Sequence, residues 1–190
     1  HPCTVSADAR RATAPKAVIL SGGPASVRDD ASPRLDPAVF TLGVPVLGIC
    51  YGMQLMANSL PGGQVAAAKE REYGRAELTV NSTSVLFEGV QQGVPRTVWM
   101  SHGDRAVSVP DGYTVIAGTD NVPAAAMENV AQGIYALQFH PEVAHTEDGT
   151  AILNNFLFKI AKVRTGWTMA SFVEAEIAAL REKLGDDQVV

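Results

Sequence analysis

Two short, continuous apolar runs dominate the first third of the chain. Residues 17–20 form one run, which stops at the turn-rich Ser-Gly-Gly-Pro of residues 21–24. Residues 44–49 form the other, which is apolar on both alternating faces and leads through residues 50–52 into the apolar stretch 53–57. Strands that are apolar on both faces are typical of parallel sheets covered by helices. The pattern therefore predicts a buried strand with a tight loop, and then a strand, a sharp turn and a helix.

The rest of the chain mixes further strands with helices. Helical spacing of apolar residues predicts a helix over residues 150–161 and a last helix, capped by Thr168 or Ser171. The last helix presents an apolar stripe of Val173, Ile177, Leu180 and Leu184. Strands are predicted over residues 76–80, 96–99, 113–117, 124–127 and 134–139. The mixture predicts an α/β fold.

Composition narrows the classes of protein to which this chain can belong. Of 190 residues, 46% are apolar and 18% are charged, so the chain can bury a sizeable core and is not intrinsically disordered. A net charge of −5 without a basic cluster argues against nucleic-acid binding. No apolar run approaches the ~20 residues that cross a bilayer, so no membrane partner is expected. The two cysteines do not make a disulfide framework, which predicts a reducing cytoplasm.

The pentapeptide Gly-Ile-Cys-Tyr-Gly at residues 48–52 is the most informative motif. It has the form of a nucleophile elbow, in which two glycines leave room for a strained strand-to-helix turn that presents the central side chain. Backbone amides at a helix start stabilise negative charge, so we expect Cys50 to ionise more readily than a free cysteine. An ordinary buried thiol is the alternative, and the pentapeptide alone does not separate the two.

A histidine and a carboxylate follow the strand predicted over residues 134–139. His140 would lie at a strand end, where open parallel sheets collect catalytic groups, and can take the proton of the Cys50 thiol. Glu142 can hold the other ring nitrogen and fix the tautomer. An isolated His-Pro-Glu is more often a surface histidine beside a turn proline, but in combination with the elbow it favours a catalytic pair.

Acyl transfer through a thioester also needs donors for the carbonyl oxygen on which charge develops. The backbone amide of Tyr51 can supply one donor, and the loop 21–24 the other, with Gly23 as the preferred candidate. The alternative is that Ser-Gly-Gly-Pro only turns the chain.

Metal binding is the competing chemistry. Five side chains of ligating type could meet: Cys50, His102, His140, Glu142 and His145. Pro141 obstructs the helix that would align neighbouring ligands, and no two-cysteine knuckle is present, so we expect no metal site. His102 and His145 are then polar loop residues. No glycine-rich phosphate loop of common spacing occurs, so no nucleotide site is expected in this chain either.

Five segments, in order, carry a family resemblance: residues 20–24, 48–54, 71–75, 99–104 and 138–142. Together they resemble the class I (triad) glutamine amidotransferases, which implies a flavodoxin-like fold with an open, mostly parallel, doubly wound sheet flanked by helices. The Arg-Glu-Tyr-Gly-Arg of residues 71–75 and the Trp-Met-Ser-His-Gly-Asp of residues 99–104 are similar to the glutaminase domains of GMP synthases. The resemblance covers nearly the whole chain, to about Leu184.

The resemblance implies hydrolysis of L-glutamine to glutamate and ammonia, which is used to convert xanthosine monophosphate to GMP. It implies that Cys50 is the nucleophile, His140 the base and acid, and Glu142 the orienting carboxylate. It assigns the oxyanion-hole amides to Gly23 and Tyr51. The residues that would hold the amino-acid end of glutamine are Gln54, Ser101, His102 and Gly103. For Gln54 the alternative is a solvent-facing helix residue.

The resemblance also implies a domain organisation. Residues 1–163 match a glutaminase domain without the family's first strand–helix unit, and residues 164–190 match a linker helix ahead of an absent ATP-pyrophosphatase (synthetase) domain. That partner, fused or separate, would bind ATP and Mg²⁺. This chain itself would need no cofactor. The full enzyme could also form a homodimer. Glu72, Tyr73 and Arg75 would face the partner or shape the pocket's rim. Residues 188–190 are expected to begin a strand.

Two further hypotheses stay open at this point. The chain could be an amidotransferase-like module that binds or regulates without turnover, and glutamate release measured against Cys50→Ala would separate it from an enzyme. It could instead be another cysteine-elbow hydrolase, such as a γ-glutamyl hydrolase. That hypothesis leaves residues 71–75 and 99–104 unexplained.

Overall fold

The computed structural model describes residues 1, 5–164 and 169–185, with the backbone alone at residues 69–71 and 171. Its strands are β1 (Val18–Leu20), β2 (Val46–Ile49), β3 (Gln64–Val80), β4 (Arg96–Ser108), β5 (Thr114–Gly118), β6 (Ala126–Asn129) and β7 (Ile134–Leu137). Its helices are α1 (Ala7–Ala12), α2 (Tyr51–Ser59), α3 (Gly149–Asn154) with a π-helical continuation (Asn155–Ile160), and α4 (Met169–Leu184). Short 3₁₀ helices lie at Pro37–Thr41 and Val85–Phe87.

The strands form one sheet in the order β1-β2-β7-β6-β5-β3-β4. β1, β2 and β7 pair in parallel, and the other neighbours pair antiparallel. The predicted α/β class and open sheet are confirmed, but the sheet is mixed rather than mostly parallel. Connection length explains the difference. Residues 119–125 join β5 to β6 and residues 130–133 join β6 to β7, whereas a parallel crossover needs a dozen residues or more.

Helices cover both faces of the central strands, as a doubly wound arrangement predicts. On one face Val46 of β2 belongs to a cluster with Met53 and Met56 of α2. On the other face Leu47 of β2 belongs to a cluster with Phe156 of the π-helical segment. Successive side chains of a strand point to opposite faces, and helices cover both faces here, so every residue of β2 is buried. Packing on both faces therefore fixes the strand that leads into Cys50.

A long antiparallel hairpin of β3 and β4 is the largest departure from the predicted elements. The strands predicted over residues 76–80 and 96–99 are only the end of β3 and the start of β4. Alternate residues of β4 are buried from Val98 to Ala106, and two of them, His102 and Asp104, are polar. Inward polar residues break the apolar alternation that marks a strand. The expectation that His102 is a polar loop residue is therefore wrong, because residues 101–103 lie in β4.

The predicted helices are present with shifted bounds. The helix predicted over residues 150–161 is α3 with its π-helical continuation, and the helix around residues 53–57 begins earlier, at Tyr51. α1 was not predicted; its first turn is capped by the Ser6 side chain, which accepts from the amide of Ala9. Thr168, the Ser171 side chain and residues 188–190 lie outside the described residues. No described helix is both long enough and apolar enough to cross a membrane.

Candidate active site

Three strand ends meet at one edge of the sheet. β2 and β7 are parallel neighbours in which Ile49 pairs with Leu137, so Cys50 and the residues after Leu137 emerge side by side. Gly22, in the loop after β1, lies against both predicted catalytic residues. A Cβ atom built on Gly22 would be 2.7 Å from Cε1 of His140 and 3.5 Å from Cβ of Cys50. The structure therefore brings Cys50 and His140 together although they are far apart in the chain.

The turn at Cys50 has the backbone strain of an elbow. Cys50 has φ 51° and ψ −104°, a conformation that few non-glycine residues adopt. Its amide donates to the Leu137 carbonyl at 2.7 Å, and its carbonyl accepts from the Gln54 amide at 3.1 Å as α2 begins. Position 52 has room only for glycine, because a Cβ atom there would lie 2.2 Å from the Leu20 carbonyl oxygen. Backbone pairing and close packing together hold the strained residue in place.

His140 is held from both its backbone and its ring. Its amide donates to the Trp99 carbonyl at 3.0 Å, and the Thr146 hydroxyl donates to its carbonyl at 2.6 Å. Its Nδ1 lies 2.7 Å from Oε1 of Glu142. In the neutral ring, the tautomer that donates from Nδ1 to this carboxylate carries no proton on Nε2, so Nε2 can accept one. Nε2 is buried and has no hydrogen-bond partner among the described residues, so it is available for a proton.

The Cys50 thiol is protonated at rest. It is 2% exposed, and its Sγ donates to the Ser101 carbonyl at 3.6 Å. Burial raises the pKa of the Cys50 thiol to about 11; the nearby Tyr51 amide and Gln138 side chain lower it, and the Glu142 charge adds to the rise. The expectation of an easily ionised thiol is therefore wrong for the resting state. Desolvation outweighs the amides at the start of α2.

This thiol makes the free energy of unfolding depend on pH at the alkaline end. Below pH 9, the ordinary pKa of 9.0, the thiol is protonated in both the folded and the unfolded state, and its full contribution to stability is present. As pH rises from 9 through about 11, the unfolded state ionises first and stability falls, by about 2–3 kcal/mol in total. We expect wild type to lose this amount relative to Cys50→Ala in urea titrations run from pH 8 to 11. Parallel curves for the two proteins would contradict the prediction.

The two residues predicted to supply the oxyanion amides, Gly23 and Tyr51, come from distant segments and lie close together. The Tyr51 amide lies near enough to the Cys50 sulfur to lower the pKa of the thiol. A Cβ atom on Gly23 would be 3.8 Å from Cβ of Tyr51. The Tyr51 ring is fixed because its hydroxyl donates to the Pro33 carbonyl at 2.6 Å. The loop after β1 thus packs against the start of α2, next to Cys50.

A cavity of about 750 Å³ opens in front of Cys50 and His140. Its lining includes the predicted residues Gly23, Gln54, Ser101, His102 and Gly103. Gln54 is 3% exposed and its Nε2 donates to the Asp104 carbonyl at 2.8 Å, so it is not a solvent-facing helix residue. Glu142 lies behind the histidine and outside this lining.

His102 is a buried residue of β4, not a loop residue. Its Nε2 lies 3.1 Å from Oε2 of Glu72 in β3, and the other oxygen of Glu72 accepts from the Asn121 side chain at 2.8 Å. Burial lowers the pKa of His102, and the Glu72 carboxylate opposes that shift. Tyr73 next to Glu72 lines the cavity and is 65% exposed. Glu72 therefore supports the cavity wall from within, and Tyr73 forms its rim.

His145, the last candidate metal ligand, lies apart from the others. His145 is exposed and packs on the Trp99 ring, with ring centroids 4.7 Å apart. Across the part of the chain that the structure describes, no group of three or more His, Cys, Asp or Glu side chains is arranged to hold a metal ion.

The family follows from comparison with known proteins. The family model for "Glutamine amidotransferase class-I" matches residues 1–160. The chain belongs to the class-I glutamine amidotransferase family. The GMP synthase [glutamine-hydrolyzing] of Solidesulfovibrio magneticus is 62% identical over 190 residues, and that of Maridesulfovibrio salexigens is 56% identical. Each match covers 100% of this chain and 37% of the relative, so the chain spans little more than a third of the proteins it matches.

A solved structure supports the fold of this amidotransferase chain. The crystal structure of a "putative gmp synthase subunit a protein" from Thermoplasma acidophilum matches with a TM-score of 0.68 and 30% sequence identity. The match covers 85% of this chain and 76% of that chain.

Three residues of the amidotransferase site were not assigned a role from the sequence. Gly22 packs against the His140 ring. Asp104 is buried, accepts from the Ser26 hydroxyl and lies 3.5 Å from the Arg28 guanidinium. Gln138 is fully buried beside the elbow. Each lies within or beside a motif that carries the resemblance, but only the folded chain shows what its side chain contacts.

Proposed function

We propose that this chain is the glutaminase part of a GMP synthase. It hydrolyses L-glutamine to glutamate and ammonia, and the ammonia serves the ATP-dependent amination of xanthosine monophosphate to GMP. Relatives named GMP synthase [glutamine-hydrolyzing], identical at 62% and 56% of positions, support this assignment. The observation that carries the chemistry is the His140–Glu142 pair beside a buried cysteine on a strained turn.

The reaction proceeds through a thioester on Cys50. Sγ attacks the carboxamide carbon while Nε2 of His140 takes the thiol proton. The C–N bond then breaks, and His140 returns that proton to the leaving nitrogen, which departs as ammonia. His140 next removes a proton from water, the hydroxide oxygen attacks the thioester, and glutamate leaves as His140 returns the proton to sulfur. Because the resting thiol has a pKa of about 11, attack depends on the histidine.

Backbone amides and a carboxylate assist these steps. The amides of Tyr51 and Gly23 donate to the oxyanion that forms in each tetrahedral intermediate, and one such donor is typically worth ~10²–10³ in rate. Glu142 holds Nδ1 of His140, fixes the tautomer and stabilises the imidazolium. No metal or cofactor takes part in this scheme.

The cavity wall holds the amino-acid end of glutamine. The residues proposed for this task are Gln54, Ser101, His102 and Gly103, all of which line the cavity in front of the thiol. An α-ammonium needs acceptors and an α-carboxylate needs donors, and the two together fix the carboxamide at attack distance from sulfur. The Glu72–His102 pair makes this wall rigid.

The synthetase partner supplies ATP and Mg²⁺ binding, either fused or as a separate subunit, and the full enzyme can dimerise. In this proposal residues 1–163 are the glutaminase domain and residues 164–190 are the linker. The apolar stripe of α4 supports a linker that meets a partner, because Val173, Ile177 and Leu180 are each 43–53% exposed. The cytoplasm remains the predicted compartment.

Covalent labelling tests the proposal without needing turnover. Ammonia-producing sites that serve a partner often complete their geometry only with that partner, so turnover of the chain alone is a weak criterion. A diazoketone analogue of glutamine is expected to add one mass equivalent at Cys50, and excess L-glutamine should slow the reaction. Peptide mapping by mass spectrometry locates the adduct. Labelling of Cys3 alone, or labelling that glutamine does not slow, would contradict the proposal; bound glutamine without labelling would indicate a binding module.

A further inference from the structure

Gln138 follows β7 directly and has no part in the mechanism described above. Because Ile49 and Leu137 are register partners in a parallel pair, Gln138 is the neighbour of Cys50 at the sheet edge. Its side chain is 0% exposed, and its Nε2 has no hydrogen-bond partner of ordinary geometry among the described residues. A buried amide donor without a partner is costly, so its position at the nucleophile needs a physical reason.

The oxygen end of the Gln138 side-chain amide is fixed by the side-chain amide of Gln54. Nε2 of Gln54 donates to the Asp104 carbonyl at 2.8 Å, which determines the end of the Gln54 amide that carries the hydrogens. The same nitrogen lies 3.4 Å from Oε1 of Gln138. Gln138 therefore accepts from Gln54 through Oε1, which leaves its NH₂ group without a partner among the described residues, next to Cys50, its neighbour at the sheet edge.

We propose that Gln138 is a preorganised donor to the Cys50 thiolate, oriented by Gln54 and, through it, by the Asp104 carbonyl. The inference rests on the proposed function, in which Cys50 ionises as it attacks. A neutral thiol is a weak acceptor, whereas a thiolate is a strong one. The donor is thus poorly paired at rest and gains its partner as negative charge forms on sulfur. An interaction of this kind favours the ionised state over the resting state.

Gln138→Met tests the inference, because methionine has a similar length and no amide. The probe is iodoacetamide, which reacts with thiolate, and the rate constant for alkylation of Cys50 is followed by peptide mapping from pH 7 to 9.5 without glutamine. We expect this rate constant to fall about 10- to 100-fold across that range, the usual effect of losing one hydrogen bond to a charged group. An unchanged rate constant and pH profile in the folded variant would overturn the inference.

Gln138→Glu keeps the inference testable if the methionine variant does not fold. Glutamate retains an acceptor for Gln54 but replaces the donor with a carboxylate, so the rate constant should fall further. Asn155→Leu is the matched control, since Asn155 is also a buried amide and donates to the carbonyls of Leu86 and Glu88. We expect the control to unfold at lower temperature but to alkylate at the wild-type rate. Equal slowing in the control would overturn a specific role for Gln138.

The readout separates this inference from the proposed function. If alkylation of Gln138→Met is as fast as that of wild type while the glutamine analogue still labels Cys50, only the role of Gln138 fails. If alkylation slows in Gln138→Met but the analogue does not label the wild-type chain, the donor role holds and the proposed function fails.

Discussion

Cys50→Ala is expected to reduce glutamate release, however slow it is in the chain alone, to the uncatalysed background. Alanine keeps the small size of the side chain at the elbow but removes the atom that would form the thioester. Without it, the His140–Glu142 pair has no thiol proton to accept. The measurement is glutamate released from L-glutamine per mole of chain, with thermal unfolding to confirm that the variant is folded.

Cys3→Ala is the control for Cys50→Ala, because it removes the other cysteine of the chain. It should release glutamate at the wild-type rate. Release that survives in Cys50→Ala and disappears in Cys3→Ala would refute the assignment of the nucleophile.

Gly52→Ala is expected to cost about 3 kcal/mol or more of the free energy of unfolding. The added Cβ would lie 2.2 Å from the Leu20 carbonyl oxygen and 2.8 Å from its carbonyl carbon, so β1 or the start of α2 must move. For a chain of this size the loss corresponds to a fall of roughly 10 °C in Tm. Urea and thermal unfolding measure both quantities.

Gly23→Ala is the matched control for Gly52→Ala in the same part of the fold. The nearest heavy atom to its added Cβ is 3.8 Å away, an ordinary contact, and its φ is not positive. Its free energy of unfolding should stay within about 0.5 kcal/mol of wild type. If the two variants lose the same stability, close packing does not explain the glycine at position 52.

The elements around Cys50 could be predicted because their signals are local. Continuous apolar runs mark β1 and β2, and the two glycines that flank the cysteine mark a tight turn into a helix. The meeting of Cys50 with His140 is not a local property. It depends on β2 and β7 being neighbours in the sheet, an order that no short stretch of sequence specifies.

The inner wall of the cavity could not be predicted from pattern, because it uses polar residues at buried positions. His102 and Asp104 face inward from β4 and contact Glu72 and Ser26, which come from other segments. Gln54 is buried for the same reason, since the Asp104 carbonyl accepts from it. A polar residue in a sequence is predicted to be exposed unless its hydrogen-bond partners are known. Here those partners are distant in the chain.

The protonation state of Cys50 also could not be predicted from the sequence. The motif indicates amides at a helix start, which favour the thiolate, but it does not show how deeply the sulfur is buried. Burial is the larger effect and raises the pKa to about 11.

Keeping the sulfur neutral and 2% exposed between turnovers has a protective consequence. Peroxide attacks thiolates, and each oxidation step beyond the sulfenic acid is effectively irreversible for most proteins. In the proposed function the nucleophile ionises only when a substrate and a base are at hand, which gives oxidants little opportunity. The burial that makes attack wait for one proton transfer would then also protect the sulfur from oxidation.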